Sequence, residues 1–238
     1  MNALHQRMQE LAARRGIDLA ALAAADTGES PLGTGWTVDD PAAARREMAE
    51  AVLAAEMRGT FANAQPDHPE VARWVSELIE QGPDAGDRLP WLTLMGATGR
   101  GKTHQAYGAI RALSMAAARR PGSYRPYRWR IVTHPELSAA LRPKSDKSHE
   151  YALEIYEVAD LLLLDDIGAG SLTDYGREGI LHLVNHRYVR RLPTIFTTNL
   201  NEDGLRDAFG DRVPSRMNEG VIVVVDGPDR REAIGEWR

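Results

Sequence analysis

Gly96-Ala97-Thr98-Gly99-Arg100-Gly101-Lys102-Thr103 matches the pattern Gly-x-x-x-x-Gly-Lys-Ser/Thr in full. Each residue type has a reason to be there. The glycines permit backbone angles that turn successive N–H groups toward one phosphate. A helix starting at Lys102 would add its positive N-terminal end. Lys102 would reach the β- and γ-phosphates, and Thr103 would offer its hydroxyl to Mg²⁺. His104 follows in the same turn and belongs to the expected nucleotide-binding set. A dinucleotide loop does not fit, because it has no use for the Lys-Thr pair. The bland alternative is a flexible glycine-rich turn carrying a solvated lysine.

Two further segments end in polar residues. Leu161-Leu162-Leu163-Leu164 runs into Asp165-Asp166. Asp165 would hold Mg²⁺, directly or through water, and Asp166 would orient and deprotonate an attacking water. An ordinary strand end before the turn at Ile167-Gly168 is the other reading. Thr194-Ile195-Phe196-Thr197-Thr198 runs into Asn199. If this strand lies between the other two, Asn199 points at the γ-phosphate, where an amide can donate and accept without charge. Otherwise it is a capping asparagine. Later, Arg212 and Arg216 stand four apart. They are either a finger reaching a neighbouring subunit's nucleotide or surface arginines in ion pairs.

These groups need a scaffold that brings distant segments together. From Trp91 onward, strand-length apolar runs (Trp91–Met95, Arg128–Thr133, Leu161–Leu164, Thr194–Thr198, Val221–Val225) alternate with helical stretches over Lys102–Ala118, Pro135–Arg142, Tyr151–Val158 and Asp174–Arg191. Near-continuous apolar strands between helices predict an α/β fold with a parallel sheet covered on both faces. Upstream, residues 1–26 read as helical and Asp26–Pro41 as a linker. Helices follow over Ala42–Met57 and Glu70–Gln81, with a break at Gly59–Pro69.

Bulk properties narrow the function classes. The 238 residues contain no cysteine, so there is no disulfide framework, thiolate zinc site or cysteine nucleophile. No apolar run of membrane-spanning length and no signal-peptide pattern occurs, which makes the cytoplasm the expected location and a membrane an unexpected partner. The formal net charge of −5 means that any nucleic-acid contact must come from a local patch.

Taken together, Gly96–Thr103, Leu161–Gly168, Thr194–Asn199, Asp211–Met217 and Gly227–Arg231 resemble the DnaC/DnaI-type helicase loaders, relatives of the IstB transposition helper ATPases within the AAA+ class. The resemblance covers about residues 60–235. It implies a P-loop NTPase core with strand order 5-1-4-3-2, no C-terminal helical lid, and ATP-dependent assembly of copies into an open ring or spiral. By motif match it implies that Arg216 is the arginine finger, Arg212 its upstream companion, and Arg231 a second sensor arginine. In bacterial loaders the stretch matching Gly168–Arg177 touches single-stranded DNA, and Thr173 and Tyr175 fall at the matching positions. Tyr175 either stacks on a base or is a half-buried aromatic opening the helix. Lys144 and Lys147, in Arg142–Lys147, either contact phosphate or belong to a solvated loop. Arg58–Ala64 resembles the family's lead-in to the ATPase core, and either lines the adenine site or packs as a simple turn.

The expected organisation is a helical partner-binding region over 1–58 and an AAA+ ATPase domain over 59–238. The expected activity is Mg²⁺-dependent ATP hydrolysis that drives delivery of a replicative DNA helicase onto single-stranded DNA, in a bacterium or a phage. An IstB-like transposition helper meeting duplex DNA, and an assembly switch with little turnover, are the rivals. A small-molecule kinase would need a lid and an acceptor site that the sequence does not signal. Residues 1–58 match no motif of the family, so the partner's identity is open there.

Overall fold

The structure, a computed structural model, describes residues 41–57, 59–82, 89–120, 127–141, 149–168 and 173–229. The helix and linker expected over 1–41 fall mostly outside them. The chain divides into two compact units, one drawn from residues 1–64 and 111–127, the other from 65–110 and 128–238.

In the first unit, helix α1 (Pro41–Glu56) is followed by a short 3-10 turn at Gly59–Phe61. Met48, Val52, Leu53 and Met57 are buried, recurring about every four residues, as one helical face requires. The second half of α3 (Lys102–Arg119) belongs here too. Arg45 Nε donates to Ala118 O at 3.2 Å, and Arg111 Nη1 donates to Ala62 O at 2.8 Å.

The second unit opens with α2 (Pro69–Gln81). Its boundaries are written in the sequence. The His68 side chain accepts the Glu70 N–H, Pro69 stands in the first turn, and Gly82 closes the helix at φ 79°. Then come β1 (Trp91–Met95), the first half of α3, β2 (Trp129–Thr133), α4 (His134–Ala140), α5 (His149–Glu157), β3 (Leu161–Ile167), α6 (Asp174–Val189), β4 (Thr194–Thr198), α7 (Glu202–Phe209), α8 (Arg212–Met217) and β5 (Val221–Val224). The strands form one sheet, ordered β2-β3-β4-β1-β5, with every pair parallel. This is the 5-1-4-3-2 order expected above. The four consecutive leucines of β3 are all buried, so both faces of that strand are covered. Leu162, Leu164, Phe196 and Trp91 share a core with Ile180, Leu183 and Val184 of α6 and with Leu205 and Val213 of α7 and α8.

Two departures from the sequence reading stand out. β3 continues three residues past Leu164, through both aspartates to Ile167. Helices α7 and α8 fill the stretch between β4 and β5, for which the sequence reading predicts no helix. Asn201 caps α7 by accepting the Gly204 N–H at 2.9 Å, with Glu202 and Asp203 in the first turn.

Candidate nucleotide site

β1 and β4 are adjacent and parallel, with Met95 opposite Thr198, and β3 lies on the far side of β4. The C-terminal ends of all three therefore meet at one edge of the sheet, where open α/β sheets bind ligands. The phosphate loop leaves β1 there. Gly96, Gly99 and Gly101 all take positive φ (142°, 83° and 92°), which L side chains rarely adopt. A Cβ on Gly96 would also lie 2.5 Å from Val225 O. Lys102 is buried at the start of α3, and its ammonium donates to Gly96 O (2.7 Å) and Ala97 O (2.9 Å). The segment after β5 crosses the loop: Val225 N–H donates to Met95 O at 2.7 Å, and Arg100 Nη1 donates to Gly227 O. A Cβ on Gly99 would run into the Asp229 carboxylate. Ala97 and Thr98 lie between these glycines. His104 faces Asp67, with Nε2 3.6 Å from a carboxylate oxygen.

Thr103 and Asp165 come from segments 62 residues apart, yet Thr103 Oγ1 donates to Asp165 Oδ1 at 3.1 Å. Thr197 Oγ1 donates to the same carboxylate oxygen at 2.5 Å. Burial holds the Asp165 carboxyl above the usual carboxylate range. The bonds from Thr197 and Thr103 pull it back down, the neighbouring Asp166 pushes it up, and the Lys102 charge lowers it. Asp166 is exposed and takes φ 57°, a left-handed backbone. Asn199 is exposed just beyond the end of β4. Thr198 Oγ1 beneath it donates to Ile167 O at 2.7 Å, tying β4 to β3. The donors collected here fit a magnesium–triphosphate group. There is a cradle of left-handed glycines that side chains would fill, a buried ammonium, and hard oxygen ligands on Thr103 and Asp165.

The remaining candidates lie elsewhere or outside the described residues. Arg216 stacks its guanidinium 4.6 Å over the Tyr188 ring, and Tyr188 OH donates to Glu219 at 3.0 Å. Tyr188 in turn meets the edge of Trp91, the first residue of β1. So Arg216 sits by the end of β1 opposite to the one from which the phosphate loop leaves. Arg216 Nη1 is shielded from solvent and has no hydrogen-bond partner among the described residues. Arg212 is exposed one helical turn earlier. Thr173 caps α6, accepting the Gly176 N–H at 3.1 Å, and Tyr175 is 46% exposed. Lys144, Lys147 and Arg231 fall outside the described residues. Sequence reasoning passed over Thr197, since a threonine within an apolar strand reads as ordinary β-propensity.

Residues 80–217 match the family model described as IstB-like ATP binding protein. The replicative helicase loader DnaI of Bacillus subtilis (strain 168) is 32% identical over 152 residues, covering 56% of this chain and 49% of DnaI. The replicative helicase loader DnaC of Escherichia coli (strain K12) is 30% identical over 93 residues, covering 38% of each chain. The chain thus matches half or less of the length of these curated relatives. The crystal structure of the DnaC helicase loader superposes with a TM-score of 0.55 at 23% identity, over 71% of this chain and 100% of that one. At that identity the likeness is one of fold.

Proposed function

This chain belongs to the IstB-like ATP binding protein family, and we propose from that premise that it is an AAA+ ATPase that loads a replicative DNA helicase onto single-stranded DNA. The observation that carries the ATPase part is the Thr103–Asp165 hydrogen bond, which joins the phosphate loop to the acidic strand beside a buried Lys102. The helicase partner follows the relatives' names; the single strand, ring or spiral assembly of copies and a cytoplasmic location belong to this proposal.

In this reading the loop N–H groups and Lys102 bind the β- and γ-phosphates. Thr103 and Asp165 would hold Mg²⁺, which would supply positive charge to offset that of the phosphates. Asp166 accepts the proton of the attacking water. Asn199 orients that water and the γ-phosphate. Arg216, with Arg212 beside it, serves a neighbouring copy's nucleotide. Its place at the far end of β1 supports action in trans. Arg231, like Ala97, Thr98, Arg100 and His104, completes the nucleotide contacts. Tyr175 meets single-stranded DNA, with Thr173 fixing the helix start beneath it, and Lys144 and Lys147 add phosphate contacts. Residues 1–58 grip the helicase, and 59–238 form the ATPase domain.

The test is phosphate release with and without single-stranded DNA, together with capture of a replicative helicase by the intact chain and by one lacking residues 1–58. Mg²⁺-dependent turnover that disappears in Lys102→Ala is expected, as is helicase capture by the intact chain alone. Turnover surviving in Lys102→Ala would overturn the ATPase reading. Stimulation by duplex DNA alone would move the reading to a transposition helper.

A further inference from the structure

We infer that Thr197 is a positioning residue that locks the two carboxylates of the acidic strand into different jobs. The inference rests on the ATPase reading and deepens it. In a regular strand Asp165 and Asp166 would point to opposite faces of the sheet, and only one could face a ligand. The β3–β4 ladder is not regular there. Leu164 pairs with Phe196 and Ile167 pairs with Thr198, so Asp165 and Asp166 together stand opposite the single residue Thr197. That two-to-one count is a β-bulge, a device that re-aims side chains beside functional sites. The extra residue is accommodated by Asp166, whose φ of 57° is left-handed.

A bulge leaves ladder groups without their backbone partners, and the Thr197 side chain takes up the slack. Its hydroxyl carries one proton and two lone pairs. The proton goes to Asp165 Oδ1 at 2.5 Å, and a lone pair accepts the Asp166 backbone N–H at 2.8 Å. Thr197 is 1% exposed, so water cannot substitute for it. One buried atom thereby fixes the orientation of the cation-binding carboxylate and the backbone turn that presents the next one. Asp165 Oδ1 is held from two sides, by Thr197 on β4 and Thr103 on α3. Such supporting bonds orient ligands and tune their basicity. Thr197 acts through Asp165 and Asp166, the two residues its hydroxyl bonds.

The test compares Thr197→Val, which keeps the shape and loses the hydroxyl, with Thr197→Ser, which keeps the hydroxyl. The readouts are binding of a fluorescent ATP analogue in Mg²⁺ and in EDTA, turnover, and thermal unfolding. In Thr197→Val the Mg²⁺-dependent gain in affinity should fall about tenfold and turnover by about 10–100-fold, with EDTA binding unchanged. Thr197→Ser should recover both to within about threefold of the unaltered protein. If Thr197→Val does not fold, Thr197→Ala serves in its place. Wild-type Mg²⁺ dependence and turnover in the Val variant would overturn the inference alone. Equal loss of EDTA binding and thermal stability in the Val and Ser variants would reduce Thr197 to a packing residue. No Mg²⁺-stimulated binding in the unaltered protein would overturn the ATPase reading, and this inference with it.

Discussion

The Arg216 guanidinium lies 4.6 Å over the face of the Tyr188 ring, by the end of β1 remote from the phosphate loop. A five-residue strand spans about 15 Å, too far for the side chain to serve its own subunit's γ-phosphate. The stack holds the planar group in one orientation. If it acts on a neighbour, Arg216→Ala should cut turnover by about 10³-fold while leaving ATP affinity near wild type. Mixing Arg216→Ala with Lys102→Ala subunits should restore turnover, because each supplies what the other lacks. A mixture as inactive as its components would place Arg216 outside the reaction.

Asp166 has a backbone that few side chains accept. At φ 57° an Asp or Asn is tolerated, because a short polar side chain can bond locally, whereas longer side chains are strained. Asp166→Asn should therefore keep the fold and nucleotide affinity while turnover drops by about 10²–10⁴-fold. Asp166→Glu, one methylene longer, should lower stability by about 1 kcal/mol through backbone strain. Phosphate release and thermal unfolding on the two variants check both halves. An Asn variant that turns over normally would remove Asp166 as the base.

The readable parts of the molecule were those set by local rules. Trp91–Met95 and Thr194–Thr198 came out at their observed ends because apolar runs stop where polar or glycine residues begin. Thr103 and Asp165 were visible because loop and strand motifs constrain neighbouring residues. The bulge was invisible because it depends on the register of β4 against β3. Helix α7 carried a legible start in Asn201-Glu202-Asp203, but eight residues give a weak periodic signal. Arg187 gave no signal at all. Near a helix end it reads as a solvated charge, and only the tertiary fold encloses it.

His186 offers a pH test away from the nucleotide. Burial lowers its pKa below the ordinary 6.5. Glu157 opposes this, and the charges of Arg190, His182 and Arg187 reinforce it. With the folded value depressed, the unfolded chain takes up the proton first. The stabilising contribution is full above pH 6.5 and is lost as pH falls through the folded value. The urea midpoint should decline between about pH 7 and 5, and part of that decline should vanish in His186→Gln. An identical acid slope in both proteins would show that other groups carry it.

Arg187 is 0% exposed, and its guanidinium is used up on the interior. Nε donates to Thr194 Oγ1 at 2.9 Å, Nη1 to Tyr156 O at 2.8 Å and Ala159 O at 3.0 Å, and Nη2 to Pro193 O at 2.6 Å. These acceptors are the end of α5, the entry to β3 and the entry to β4. One side chain thus fastens two strands at the edge of the sheet opposite the site. Arg187→Met keeps volume but leaves several buried carbonyls without donors, each worth roughly 1–3 kcal/mol. A total loss of roughly 3–5 kcal/mol should lower Tm by roughly 6–20 °C at this chain length. Lysine should not rescue, because a compact ammonium cannot span carbonyls that the planar fork reaches together. Nucleotide affinity of the still-folded fraction should be unchanged, since the phosphate loop leaves the other end of the sheet. A Met variant melting with the wild type would show that the enclosed charge contributes nothing net, which holds when its desolvation cancels its bonds.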